Sequence, residues 1–286
     1  MTGAERGFLL LRSHLGFPGR RPLTQLQLHK LEQLVCQAPK QEEDRDLTAA
    51  DLWEMGCTLR EAQHIAQLLS EEEKLDRYLA WGAQRGCTPI TRLTPGYPQR
   101  VLKCLQEEAP ACLWAKGDIS ILQTEKIALV GSRDLQIPNA LFAQKVGTLA
   151  AEQGITLVSG NARGADSVAQ DACLAAGGKV ISVVADCLHR YRDQENVLYL
   201  SEEAFDEDFS AQRALSRNRV IHTLTDTVFV AQCTYHKGGT WDGTMQNLKK
   251  RWSKVICFDD HTPAMADLAA LGAELCELTA CFCSLE

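Results

Sequence analysis

The chain has 286 residues, is 45% hydrophobic and 23% charged, and carries a net charge of −7 with a pI near 5.6. That is the balance of a soluble globular protein with room for one large domain or two ordinary ones. It excludes a bilayer-spanning chain, since no apolar run approaches roughly 20 residues. It also argues against a non-specific polyanion coat, although a local basic cleft stays open.

From the N-terminus, Phe8-Leu9-Leu10-Leu11 is too short for a secretory core and runs straight into Arg12 and His14, so a cytoplasmic protein is expected. Thr24 precedes Leu26, Leu28, Leu31 and Leu34-Val35 at helical spacing. Thr48 with Asp51 reads as a capping box, and Leu52, Trp53 and Met55 give that helix an apolar face. After Gly56, Thr58 caps a helix carrying Ala62, Ile65, Ala66 and Leu69, and Glu71-Glu72-Glu73-Lys74 reads as a solvated face. Residues 1–85 are therefore expected to form a small all-α domain, SAM-like or helix-hairpin-helix-like. The turn lacks clustered Lys and Arg, which favours packing over a grip on nucleic acid.

Residues 85–125 read as a linker, with turns at Thr94-Pro95-Gly96-Tyr97-Pro98, Ala109-Pro110 and Lys116-Gly117-Asp118. Beyond it, Val- and Ile-rich runs at 127–130, 155–158, 180–184, 227–231 and 254–258 alternate with helical spacing such as Phe142, Val146, Leu149 and Ala150. A last strand is expected within 273–278. This predicts an α/β domain over 86–286: a Rossmann-like, mostly parallel sheet with helices on both faces.

Four segments of this second domain carry anion-binding chemistry. The first strand ends in Gly131-Ser132-Arg133 rather than in a dinucleotide fingerprint. Here the backbone and Ser132 offer donors and Arg133 offers a fork. The second ends in Ser159-Gly160-Asn161-Ala162-Arg163-Gly164-Ala165-Asp166, with a helix N-terminus near Ala165. Asp166 reads as a first-turn acid, the alternative being a ribose contact or a support for Arg163. The third is Arg213 with Arg217-Asn218-Arg219, and the fourth is Lys237-Gly238-Gly239-Thr240, without a P-loop pattern. Trp241 and Tyr191 are candidates to stack a base. His222 reads as a packing residue. The twelve cysteines, closest at Cys281-Phe282-Cys283 with Cys276 upstream, form no Cys-x-x-Cys pair. They read as reduced thiols, so no metal and no cofactor are expected. No catalytic triad or dyad is evident.

These segments, in this order, resemble the DprA/Smf family of DNA-processing proteins in the wider SLOG superfamily. The matching residues are Thr94 to Pro98, Ala109-Pro110 to Gly117-Asp118, Val130 to Arg133, Ser159-Gly160 with Ala162 to Asp166, Gly178-Lys179 and Arg217-Asn218-Arg219, across roughly residues 90–260. The resemblance implies a non-enzymatic, typically dimeric protein that binds single-stranded DNA, acts in recombination or DNA uptake, and helps load RecA. It maps the family's DNA pocket onto Arg133, Arg217 and Arg219. The chain departs from the pattern at Gln170, Tyr191-Arg192, His222 and Lys237 to Gly243, and it reads as a divergent member without the winged helix that ends many others. The alternative is a small-nucleotide sensor or a nucleoside-monophosphate phosphoribohydrolase. Gly238-Gly239-Thr240 is similar to the turn of the LOG branch, but with Asp242 where that branch has a nearby glutamate.

Overall fold

The computed structural model describes residues 1–38, 47–202 and 204–278. Five helices precede the sheet: α1 (Gly3–Arg12), α2 (Gln25–Gln37), α3 (Ala49–Glu54), α4 (Leu59–Leu69) and α5 (Glu72–Gln84). Four of them start with a complete capping box, in which Thr2, Thr24, Thr48 and Thr58 exchange hydrogen bonds with Glu5, Gln27, Asp51 and Glu61. Each cap contributes about 1 kcal/mol. Their apolar faces meet in a cluster that includes Leu28, Leu31, Leu52, Ile65 and Leu68.

This helical layer does not stand apart from the sheet. Leu11 of α1 enters the helical cluster, while its neighbours Leu9 and Leu10 join the sheet core. Tyr78 of α5 lies edge-on to Trp114, with ring centroids 5.4 Å apart, and Trp114 lies 4.6 Å from Phe205. Glu71, expected on a solvated face, instead forms a 2.6 Å ion pair with the buried Arg20. The Arg20 guanidinium also donates to the carbonyls of Leu10 and Ser13, tying the start of α5 to the end of α1.

The described residues form one nine-stranded sheet of order β1-β2-β6-β5-β4-β3-β7-β8-β9. The strands are β1 (Cys87–Thr91), β2 (Cys112–Lys116), β3 (Lys126–Val130), β4 (Thr156–Ser159), β5 (Val180–Val184), β6 (Val197–Glu202), β7 (Thr227–Val230), β8 (Lys254–Phe258) and β9 (Glu274–Cys276). From β6 to β9 every pairing is parallel, and β2 and β1 extend the β6 edge antiparallel. The five expected strands are present as β3, β4, β5, β7 and β8.

The expected linker is corrected. It holds β1, β2 and the helix α6 (Gln99–Leu105) between them. Its Thr-Pro-Gly-Tyr-Pro turn is core structure, with Tyr97 buried and its hydroxyl donating to the Pro110 carbonyl at 2.7 Å.

Helices α7 (Ile137–Glu152) and α8 (Ala165–Ala175) cover one face of the sheet together with α1 and α5. The other face is covered by α6, α9 (Ala211–Thr223), α10 (Gly239–Lys250) and α11 (Pro263–Ala270). The strands alternate accordingly: Ile127, Leu129 and Phe229 face the first layer, and Ala128, Val130, Val228 and Val230 the second. Cys57, Cys87, Cys173, Cys187, Cys233 and Cys257 are buried thiols, whereas Cys281 and Cys283 lie outside the described residues. Among the described residues no helix is long and apolar enough to cross a membrane.

Candidate nucleic-acid interface

The sheet reverses its direction of growth at β3, which has β4 on one side and β7 on the other. In open α/β sheets a crevice forms at the carboxyl ends of the strands at such a point. Here it is a cleft of about 530 Å³ lined by the turn after β3, the start of α8, the inner face of α9 and the loop that opens α10. It brings together Gly131, Ser132, Arg133, Asp166, Arg217, Asn218, Lys237, Gly238, Gly239 and Thr240.

Backbone close to the cleft is fixed by contacts that demand glycine. Gly164 caps α8 at φ +93°, and a Cβ there would strike the carbonyls of Ser132 and Arg133. At Gly160 a Cβ would occupy the space of the Arg217 guanidinium. Two polar clamps join the walls: the Thr240 hydroxyl donates to the Gly131 carbonyl at 3.0 Å, and Asn218 Nδ2 donates to the Gly239 carbonyl at 3.1 Å. The Ser132 amide, expected to meet an anion, is already spent on the Gln232 carbonyl at 2.9 Å.

Arg217 forms the base of the cleft. It is buried, donates from Nη1 to the Val183 carbonyl at 2.9 Å, and has no partner for Nε. Its charge interacts with the buried Asp166, whose Oδ2 accepts from the Ala162 amide at 3.1 Å. Burial pushes the Asp166 carboxyl above its ordinary range, and the Arg217 charge opposes that rise. At the rim, Arg133 and Lys237 are exposed and meet no carboxylate among the described residues. The described lining thus sets Arg133, Arg217 and Lys237 against one sunken carboxylate, Asp166. This local excess of positive charge sits in a chain of net charge −7.

Several sequence-based expectations are redirected. Arg219 does not enter this cleft. It points to the far side of α9, pairs with Glu202 at 2.6 Å and lines a different cavity. Arg213 is held by the carbonyls of Ala185, Glu207 and Asp208 and by the Ser201 hydroxyl, so it braces the loop before α9. Trp241 is only 5% exposed and belongs to the core, with its ring against those of Tyr235 and His236, so it offers no face to a base. Asp166 supports neither Arg163 nor the surface, because Arg163 reaches out to Asp134 at 2.8 Å.

Arg163, Ser159-Gly160 and Tyr191 cluster beside the cleft. Gly160, Arg163 and Tyr191 line an adjoining hollow of about 420 Å³, in which Tyr191 is half-buried and lies against Tyr199 at 4.8 Å. Ser159 is buried at the end of β4, donating to the Leu129 carbonyl. Phe209, which the sequence reading passed over, lines both hollows and is 56% exposed. Its signal in the sequence is an apolar ring placed between Asp206-Glu207-Asp208 and the Ser210 cap of an arginine-rich helix.

Residues 88–260 match the family described as DNA recombination-mediator protein A. The chain belongs to that family. Curated relatives include Protein Smf of Escherichia coli, 27% identical over 207 residues, which are 67% of this chain and 53% of the relative. DNA processing protein DprA of Bacillus subtilis is 32% identical over 173 residues, 56% of this chain and 57% of the relative. The aligned part therefore spans about half the length of these relatives. Among solved structures, DNA processing protein A from Streptococcus pneumoniae superposes with a TM-score of 0.72 at 24% identity, covering 96% of this chain and 95% of that one. DNA processing protein A from Helicobacter pylori, whose structure describes a single-stranded DNA binding mode, gives 0.56 at 21% identity, covering 66% and 90%. In this fold the turn after β3, the start of α8 and the loop that opens α10 surround one crevice.

Proposed function

We propose that this protein is a DNA-processing protein that binds single-stranded DNA in the cleft at the ends of β3 and β4. The observation that carries the proposal is the charge balance there: among the described residues, exposed Arg133 and Lys237 without a carboxylate partner stand above a buried Arg217, and one sunken carboxylate, Asp166, opposes them in the cleft lining. Cations at fixed positions on a negative protein confine a phosphodiester backbone to one groove and make its binding salt-dependent. The hollow at Gly160, Arg163 and Tyr191 adjoins the cleft through the shared lining of Arg133, Ala162, Phe209 and Arg217, which extends the surface open to a strand. The kinship with DNA-processing proteins, one of them described with a single-stranded DNA binding mode, supports the same reading.

The family resemblance extends the proposal to a cytoplasmic homodimer that acts in recombination or DNA uptake and delivers the strand to RecA. Sedimentation of the free protein and of its mixture with RecA tests those two parts separately. The hydrolase alternative is disfavoured by position: Asp242, the acid it needs, is exposed on α10 and is not among the cleft residues.

The deciding experiment is a salt titration of oligonucleotide binding. Arg133→Ala is expected to weaken binding of a single-stranded oligonucleotide and to lower the slope of log K against log salt by about 0.7. Equal affinity and equal slope in the variant overturn the reading.

A further inference from the structure

The segment from Ala204 to Ser210 leads into α9 and carries Phe209, the exposed ring that lines both hollows at the strand ends. Its other end is anchored on the helical layer. Phe205 is fully buried, with its ring 4.7 Å from that of Tyr78 and 4.9 Å from that of Trp81, both on α5. The next residue, Asp206, accepts a 2.5 Å hydrogen bond from the Tyr78 hydroxyl. Its second carboxylate oxygen packs against Gly16, in the turn after α1, where a Cβ would lie 3.5 Å away. Of the three successive acids, Glu207 and Asp208 turn to Arg213 and Arg190, whereas Asp206 turns to the helices.

Ring packing alone lets a segment slide and rotate, and a phenylalanine at position 78 would fill the same space. The phenol adds a directional bond to a carboxylate, which fixes the backbone three residues before Phe209. That bond joins the first 84 residues to the rim of the cleft.

We propose that Tyr78 is a positioning residue for the cleft: through Asp206 it holds this segment so that Phe209 stands as a wall of the groove, which makes the helical layer part of the binding machinery. The proposal rests on the single-strand reading above and adds what sets the shape of the groove. Without the bond the segment samples other positions, only the fraction with the wall in place binds, and the apparent affinity falls by that fraction. Arg133 and Lys237 sit on other turns, so the number of phosphates neutralised stays the same.

The test measures (dT)20 binding to the full chain and amide hydrogen exchange over residues 204–210. Tyr78→Phe and Asp206→Ala are each expected to weaken binding roughly three- to tenfold with an unchanged salt slope, and the double variant no further. Asp206→Asn, whose amide oxygen still accepts from the phenol, should restore most of the affinity. The sign is informative, because losing a carboxylate near a polyanion would by itself tighten binding. Exchange over 204–210 should quicken in Tyr78→Phe without DNA. A role in stability alone is separated by Leu52→Ala, in the helical cluster, which should lower the melting temperature and leave both readouts unchanged where the protein is folded. Equal affinity in Tyr78→Phe, unchanged exchange in it, or an equal loss in Leu52→Ala overturns the positioning role. If the unsubstituted protein does not bind (dT)20, the single-strand reading fails and the positioning role with it. If it binds and Tyr78→Phe binds as well, only the positioning role fails.

Discussion

At the scale of single residues, the centre of the site holds two buried groups of opposite charge. Arg217 and Asp166 are both out of water and interact without a direct ion pair, and removing one leaves the other less compensated, at a cost of about 1–3 kcal/mol. Arg217→Met should lower stability in urea by about that much, and adding Asp166→Asn should recover a large part of it. A double-mutant cycle with coupling below about 0.5 kcal/mol would show that the two charges do not depend on each other. His222 gives a second, pH-linked expectation. Its folded pKa of about 4 lies below the ordinary 6.5, so between those values the unfolded chain binds a proton that the native state refuses. Stability therefore rises with pH across that window and is complete above it, by up to roughly 3 kcal/mol. Urea midpoints of the protein and of His222→Phe, taken from pH 4 to 7, should differ in slope; parallel curves contradict the assignment.

At the scale of elements, the turns matter more than the strands. The turn after β3 and the start of α8 touch at Gly164, whose φ of +93° and crowded carbonyl neighbours leave no room for a side chain. Gly164→Ala should cost about 1–3 kcal/mol and push Arg133 away from the cleft. Thermal unfolding and oligonucleotide affinity should fall together, and a variant with unchanged melting refutes this account of the turn. The amphipathic helices and buried strands were legible because their periods are local properties of the chain, as at Phe142, Val146 and Ala150. β1 and β2 were not legible. Cys87–Thr91 and Cys112–Lys116 carry a proline, threonines and a lysine, and only their antiparallel pairing onto the β6 edge makes them strands. β6 was hidden for a similar reason: its four-residue apolar start follows a charged loop and ends in Ser201-Glu202, both buried by neighbours far away in sequence.

At the scale of the whole molecule, the helical layer is part of the sheet's cover. Leu9, Leu10, Leu75 and Tyr78 shield the face that carries Trp114 and Phe205, and the Tyr78 hydroxyl reaches Asp206 at 2.5 Å. Removing residues 1–84 would uncover these aromatic rings, an apolar patch that soluble monomers rarely tolerate. The truncated chain is expected to bind a hydrophobic dye and to unfold at lower temperature than the full protein. A truncated chain with a full-length melting profile and no dye binding would establish instead that the sheet folds by itself.

The sequence alone determined the α/β alternation, the caps at Thr48 and Thr58, and the grouping of small residues with arginines at the strand ends, because each depends only on neighbours along the chain. Which arginine serves the cleft was a tertiary decision. Arg217 and Arg219 are two residues apart, so a helix turns them to different sides: one to Asp166 beneath the cleft, the other to Glu202. The same roll of α9 turns His222 toward the cleft, the roll of α10 buries Trp241, and no count of residue types in the sequence reveals which way a helix is rolled against its sheet.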